Sequence, residues 1–353
     1  MTTQKDSGKI LDFLICPGFS VSDHIITEVN QAAAAMLLTP GTDVRSLLLT
    51  GEEDYAAFTG GCMYVTLNIG HDGWGAALIR RDGIDYFLLD QANQSSVLQV
   101  LALAAQDLRR SLSSALISAD QLSQHMDSED TESREQLSRL NRGLYRTLRL
   151  IGNMSDAGSW PGGTRQEIRE AGKIMAEIFQ KAQAMTESLG ITLHYTPLTE
   201  QIYTLINHDQ LERAVLNLLS NALKFTPSGG TIQAVFRRSG KKLLLTITDT
   251  GCGIQKDILS TIFQRYLRQP GLEDTRFGLG LGMTLVRNAA SAHGGTVLID
   301  QPEGFGTRVT MTIAINQNME AGFHSPILGL DYSGELDHML LELSDCLPAH
   351  FYE

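Results

Sequence analysis

The 353-residue chain is 42% hydrophobic and 19% charged, the balance of a globular protein long enough for two or three cores. Its formal net charge of −12 argues against a nucleic-acid binder, whose footprint is a basic patch. Cys16, Cys62, Cys252 and Cys346 are scattered without a C-x-x-C pair, which argues against a zinc site or disulfide framework and for a reducing compartment. The opening M-T-T-Q-K-D-S-G-K is polar, and no signal-peptide apolar core follows it. No apolar run approaches the roughly 18–20 residues that span a bilayer. The longest, V-L-Q-V-L-A-L-A-A, is interrupted by Gln99. A cytoplasmic protein without a membrane span is expected.

Over the first 92 residues, short apolar runs alternate with turn signals, the pattern of a small α+β domain. I-L-D-F-L-I-C reads as a strand, and I-T-E-V-N-Q-A-A-A-A-M-L-L as a short helix. C-M-Y-V-T-L-N-I, G-W-G-A-A-L-I-R and I-D-Y-F-L-L-D read as strands, the last two joined by an R-D-G turn. The order of these elements and the phrase V-N-Q-A-A-A-A-M-L-L-T-P-G resemble a PAS-type sensor domain. An α+β domain without a ligand fits the same pattern.

From Asn93 the pattern turns helical. Leu101, Leu108, Ala115 and Leu122 recur every seven residues, and Ala105, Leu112 and Ala119 fall four residues after the first three, which makes a coiled-coil seam. After the polar break M-D-S-E-D-T-E-S-R, a second helix carries Leu137, Leu140, Leu144, Leu148 and Ile151 on one face. Two such helices cannot bury their stripes alone. The expected solution over 93–155 is an antiparallel hairpin that dimerises into a four-helix bundle, the alternative being a hairpin packed on a neighbouring domain. S-D-A-G-S-W-P-G-G-T, residues 155–164, reads as a linker. R-Q-E-I-R-E-A-G-K-I-M-A-E-I-F-Q-K-A-Q-A-M then reads as a helix and I-T-L-H-Y-T-P-L as a strand.

The stretch 208–313 carries the chemistry. L-E-R-A-V-L-N-L-L-S-N-A-L-K-F-T is an amphipathic helix that aligns Asn217, Asn221 and Lys224 on one face. Two carboxamides and an ammonium there can hold a hard cation and phosphate oxygens, or simply be solvated. Strands T-I-Q-A-V-F-R-R and K-K-L-L-L-T-I-T follow, the second running into D-T-G-C-G-I. Asp249 at a strand end, with Gly251 and Gly253 behind it, can accept a hydrogen bond from a flat ligand such as an adenine amino group. An ordinary Asp-Gly turn is the alternative. T-I-F-Q-R-Y, the loop L-R-Q-P-G-L-E-D-T-R-F and G-L-G-L-G-M lead into the helix M-T-L-V-R-N-A-A-S-A-H, whose N-terminal N–H groups can bind anionic oxygens. T-V-L-I-D and G-T-R-V-T-M-T-I-A-I read as a closing hairpin. No strand directly precedes the glycines, so the dinucleotide fingerprint does not apply.

Four elements in this order resemble the ATP-binding domain of bacterial sensor histidine kinases, which shares the fold of gyrase-type ATPases. The N box matches E-R-A-V-L-N-L-L-S-N-A-L-K-F-T, the G1 box D-T-G-C-G-I, the F box I-F-Q-R-Y and the G2 box G-L-G-L-G-M. A-H-G-G and the late G-T-R fit as well. The resemblance reaches back through the hairpin and covers about two thirds of the chain. It implies the dimerisation hairpin over 93–155 and an α/β sandwich ATP-binding domain over 164–316; with the PAS-like domain over 1–92, the whole reads as an α+β multidomain protein. The tail over 317–353 is unusual for the family and reads as a short amphipathic helix in L-D-H-M-L-L-E-L-S-D-C-L-P. The resemblance further implies ATP and Mg²⁺ as ligands. Asn221 would coordinate Mg²⁺, Asn217 and Lys224 would contact phosphate oxygens or metal-bound water, and Asp249 would receive the adenine amino group. Gly251 and Gly253 would shape the base pocket. Gly278, Gly280 and Gly282 would let segment 267–277 close over the triphosphate, with Arg276 reaching the phosphates.

Two departures bear on the reaction. ATP-hydrolysing relatives of this fold place a glutamate one turn before the second asparagine as a base for water. Here that place holds Asn217, and a carboxamide cannot take a proton at neutral pH. Glu212 lies further back, more than a turn away. The family's acceptor box, resembling H-E-L-R-T-P-L, aligns with Q-D-L-R-R-S-L at 106–112. Asp107 fits the acidic neighbour, but Gln106 stands in the phosphoacceptor place, and a carboxamide nitrogen is a poor nucleophile. Gln106 and Asp107 also fit a plain solvated helix face. No histidine occurs between His71 and His125, and His125, His208 and His293 read as loop or satisfied structural histidines. Three readings follow: a sensor-kinase-type pseudokinase that binds Mg-ATP, pairing as a homodimer or with a competent kinase; a working kinase with another acceptor, on a response regulator or other partner; and a non-enzymatic dimeric ATP-binding scaffold.

Overall fold

The computed structural model describes residues 11, 16–70, 72–89, 95–125, 131–157, 166–254, 282–302, 306–316 and 337–353. In the N-terminal region β1 (Gly18–Ser22), β2 (Ile25–Val29), β4 (Cys62–Ile69), β5 (Asp72–Arg81) and β6 (Ile84–Leu89) form one antiparallel sheet in the order β2-β1-β6-β5-β4. The short β3 (Leu48–Thr50) pairs on β4, and helices α1 (Gln31–Ala34) and α2 (Glu52–Ala56) pack beside the sheet. The turn between β5 and β6 places Asp82 and Gly83 at positive φ, as an R-D-G hairpin needs.

The helix expected from Ile26 to Leu38 is shorter than its alanines suggest. Ile25–Val29 pairs with β1, with Val21 opposite Ile26. Only Gln31–Ala34 is helical, and the Asn30 side chain caps it by accepting from the Ala33 N–H. β-Branched Ile25, Ile26, Thr27 and Val29 favour the pleated form once a partner strand is available. The strand expected at 10–16 falls largely outside the described residues.

Helices α3 (Ser95–His125) and α4 (Thr131–Ala157) form the expected pair. Leu116 and Leu148 share a small core with Leu112 and Leu144, and Arg109 lies against Gly152, so the two helices run antiparallel. Beyond them come β7 (Glu167–Glu170), α5 (Ala171–Ser188), β8 (Thr192–Thr196), β9 (Tyr203–Ile206), α6 (His208–Phe225), β10 (Thr231–Ser239) and β11 (Lys242–Asp249). Then follow α7 (Gly282–Ala292), β12 (Val297–Asp300), β13 (Arg308–Ala314) and α8 (His338–Glu342), with a 3₁₀ turn at Ala349–Tyr352. The helix expected from Arg165 begins at Ala171 instead. Glu167–Glu170 pairs with β9, a partner more than thirty residues away that local periodicity cannot reveal.

The two sheets are one. β12 pairs antiparallel with β13 on one side and with β4 on the other, setting Cys62, Met63 and Tyr64 opposite Ile299, Leu298 and Val297. The result is an 11-stranded sheet through both regions, in which two edges that would otherwise be open to association cover each other. Side chains on β4 alternate between two cores. Met63, Val65, Leu67 and Ile69 pack with Phe19, Phe58 and Phe87, while Cys62 and Tyr64 join the core formed by α5, α6, α7 and their sheet. Such two-sided burial explains why these strands read as nearly continuous apolar runs.

Around the junction Asp54 accepts from Lys242 Nζ and Thr296 Oγ1, both at 2.7 Å, and the Arg287 guanidinium lies 4.6 Å from the Tyr64 ring centroid. Gly61 sits at φ +91, where a Cβ would run into the Ile299 carbonyl oxygen. A side chain there would be strained twice, by the backbone conformation and by the contact. We expect Gly61→Ala to lower stability by about 1–3 kcal/mol, read as a shifted urea midpoint, whereas an unchanged midpoint would show that the junction yields.

Candidate functional site

Helix α6 builds the site because it is amphipathic in two directions. Leu211, Ala214, Val215, Leu218, Leu219 and Ala222 are buried in the main core. That burial leaves Arg213, Asn217 and Lys224 aligned on another face, with Asn221 beside them. The helix start is fixed by two bonds. The Asn207 side chain accepts from the Gln210 N–H at 2.9 Å, and the Asn207 N–H donates to His293 Nε2 at 3.0 Å. His293 Nδ1 in turn donates to the Ala289 carbonyl at 2.7 Å, so the ring is a neutral imidazole tying α7 to α6.

At the other end of α6, β11 delivers Asp249, which is 6% exposed. Its Oδ1 accepts from the N–H groups of Gly251 at 2.8 Å and Thr307 at 3.2 Å, so neither of these bonds uses Oδ2. Burial pushes the carboxyl above the usual carboxylate range, and these two backbone bonds partly offset that. A Cβ on Gly251 would meet the Phe225 carbonyl oxygen and Asp249 Oδ1. Only glycine lets the 249–252 turn close on the C-terminus of α6, where the Cys252 N–H reaches the Phe225 carbonyl. Gly253 follows at φ +72.

On the polar face, Asn217 is 1% exposed. Its Nδ2 donates to the Arg213 carbonyl at 2.9 Å and to Glu342 Oε2 at 3.3 Å, and its Oδ1 accepts from Arg149 Nη2 at 3.2 Å. Asn221, half-buried, points Nδ2 at Met283 Sδ, 3.5 Å away. Gly282, at the start of α7, stands beside the Asn217 carboxamide. Lys224 Nζ donates to Asp345 Oδ2 at 2.6 Å. Asn217, Asn221, Lys224, Asp249, Gly251, Gly253 and Gly282 are thus brought together around one helix. Gly278, Gly280, Arg276 and the F-box stretch lie outside the described residues. So do the side chains of Gln106 and Asp107, although their backbone belongs to α3.

The sequence reading missed most of the charged groups here. Arg142, Arg146 and Arg149 recur at four- and three-residue steps along α4 and face Arg213 and Lys224 of α6. Glu342 and Asp345 of the C-terminal segment lie between the two helices. Arg149 Nε and Arg213 Nε bond to Glu342 at 3.1 and 2.9 Å. Glu212 accepts from His338 Nδ1 at 2.7 Å. The arginine spacing was visible in R-G-L-Y-R-T-L-R, but nothing local says what such a stripe meets.

Comparison with known proteins finds similarity over the same stretch of chain. Residues 206–317 match the family described as histidine kinase-, DNA gyrase B- and HSP90-like ATPase. That match spans about a third of the chain. Beyond it, the relatives are sensor histidine kinases. The adaptive-response sensory kinase SasA of Synechococcus elongatus is 27% identical over 62% of this chain and 59% of its own. Histidine protein kinase DivJ of Caulobacter vibrioides is 39% identical over 30% of this chain and 18% of its own. The chain therefore spans less than two thirds of the length of these relatives. Among solved structures, full-length ShkA in complex with AMPPNP aligns at a TM-score of 0.48 with 20% identity, covering 62% of this chain and 46% of that one. No described helix of this chain is long and apolar enough to cross a membrane.

The His293 tie has a sign that can be tested. Burial pulls its pKa below the ordinary value of about 6.5, the Ala289 bond opposing. The unfolded chain therefore takes up a proton that the folded chain refuses. Stability is intact above that ordinary value and falls as pH drops through the folded pKa. His208 acts in the opposite sense, because its bond to Asp209 raises its pKa. We expect urea midpoints between pH 7.5 and 5 to fall less steeply for His293→Asn than for wild type; parallel profiles would remove His293 as an acid-sensitive tie.

Proposed function

We propose that this chain is a signalling protein of the histidine-kinase type that binds Mg-ATP along α6 and does not phosphorylate itself at position 106. The observation that carries the reading is Asp249. A buried carboxylate whose Oδ1 is occupied by two backbone donors leaves Oδ2 for a hydrogen bond from an adenine amino group. Gly251 and Gly253 would shape the adjoining turn beside that base. Lys224 then suits phosphate oxygens, and Asn217 with Asn221 suits a hard cation and its water shell. Bound Mg²⁺ would neutralise polyphosphate charge, and these side chains fit it through oxygen donors. No carboxylate on α6 itself lies one turn before Asn221, which favours binding over hydrolysis.

Gln106 gives the reading its second half. An amide nitrogen with a delocalised lone pair is a far poorer nucleophile than imidazole. Transfer to the side chain of a response regulator or other partner is the alternative. The hairpin supplies a surface for a second copy, or for a competent kinase. Leu108, Leu122 and Leu140 are 52%, 61% and 53% exposed, although they belong to the apolar stripes of α3 and α4. Pairing those stripes completes a four-helix bundle.

Three outcomes are expected. Wild type binds Mg-ATP, and Asp249→Ala weakens binding about 10- to 100-fold, the worth of a hydrogen bond to a charged group; equal affinities would remove the pocket. Incubated with γ-labelled ATP, the chain itself stays unlabelled, whereas stable label on it would establish a working kinase. Sedimentation of Leu108→Lys/Leu122→Lys shows a smaller species than wild type, and an unchanged one would leave the hairpin without a bundle partner.

A further inference from the structure

The C-terminal segment 337–353 is seated on the same face of α6 that carries Asn217 and Lys224. Its apolar residues fix its position: Met339, Leu343, Leu347 and Tyr352 enter the main core, and Leu341 enters the hairpin core. Two of its acids are then held among cations from two different elements. Glu342 is fully buried, bonded by Arg149, Arg213 and Asn217. Asp345 is bonded by Lys224 Nζ at 2.6 Å and Arg149 Nη1 at 2.7 Å, with Arg146 Nε 3.5 Å away. Arg142 and Arg146 also donate to the main-chain carbonyls of Ser344 and Asp345. Burial alone would raise the Asp345 carboxyl, but Arg149, Lys224 and Arg146 outweigh it and hold the group below its usual range, as an anion.

These contacts describe an anion site that is filled from within. Lys224, Arg149 and Arg146 converge on one carboxylate, and Asn217 turns its amide to another. We propose that the C-terminal segment is a built-in competitor for polyphosphate: Asp345 occupies Lys224, Glu342 occupies Asn217, and the segment straps α4 to α6 while it does so. The proposal rests on the reading of α6 as the polyphosphate face. Nucleotide that takes Lys224 deprives Asp345 of its closest cation, so phosphate entry and release of the strap are linked. By reciprocity, anything that lifts the segment raises affinity for the polyphosphate. A five-residue helix such as α8 does not persist without its docking surface, so release also unwinds it.

The test uses the full chain and two ligands, Mg-ATP and adenosine, the second lacking phosphates. Asp345→Asn is expected to bind Mg-ATP about tenfold tighter than wild type, with adenosine affinity unchanged. In wild type, saturating Mg-ATP is expected to speed amide hydrogen exchange of the 338–352 peptide at least about tenfold, and saturating adenosine is not. The main-chain bonds of Leu343, Cys346 and Leu347 protect that peptide while it is docked. Because the exchange experiment needs no variant, it decides even if Asp345→Asn does not fold. Mg-ATP bound equally by both chains, with exchange unchanged or slowed, would overturn the proposal and leave the nucleotide site standing. Weaker Mg-ATP binding by Asp345→Asn would also overturn it, making Asp345 part of the nucleotide site. Failure of both chains to bind either ligand would remove the nucleotide reading itself, and the competitor with it.

Discussion

A carboxylate withdrawn wholly from water must be met by positive charge, and at Glu342 that requirement organises the molecule. Its partners Arg149 and Arg213 come from α4 of the hairpin and from α6, and Asn217 adds a third bond. No one of these elements could bury the acid alone. Removing one partner of such a cluster costs about 3–5 kcal/mol, because it strands the remaining charge. Three stretches of chain are therefore held in a single arrangement by one side chain.

The sheet imposes a second constraint of a different kind. Because a strand alternates its side chains, β4 can supply one core with Met63 and Val65 and another with Cys62 and Tyr64. The N-terminal sheet is thereby not a separate body on a linker. Its back face lies against the core that supports α6 and α7. A displacement at β4 would be felt at β12 and β13, and Thr307, next to β13, donates to the Asp249 carboxylate. That is a physical route from the front of the molecule to Asp249, and close packing along it leaves little slack.

The hairpin shows a compromise. Along α4 the leucine stripe is only partly covered: Leu148 is buried, but Leu140 is not. Meanwhile Ser138, Asn141, Arg149 and Asn153 on the same helix are buried. The polar face is covered because the C-terminal segment and α6 press on it, with Asn141 donating to the Tyr352 carbonyl and Asn153 accepting from Arg213. A helix that looks simply amphipathic in sequence thus has two buried faces of opposite character. The apolar stripe left exposed suits a second helical pair.

Local chemistry was legible where it is local. The alternation in β4, β5 and β6, the heptads of the hairpin, the step of three and four that aligns Asn217, Asn221 and Lys224, and the Asp-x-Gly turn at 249 each depend on residues within a turn or two, and the chain alone determined them. So too did the absence of histidine at 106, which is a statement about composition. Tertiary structure decided whatever depends on a distant partner. Ile25–Val29 and Glu167–Glu170 became strands because other strands lay ready to pair, against the helical periodicity around them. β4 and β12 joined edges, although about 230 residues separate them, a pairing no local pattern encodes. Glu342 and Asp345 looked like the polar side of a terminal helix. Only the folded chain, by bringing five cationic side chains of α4 and α6 around them, gave these acids their partners.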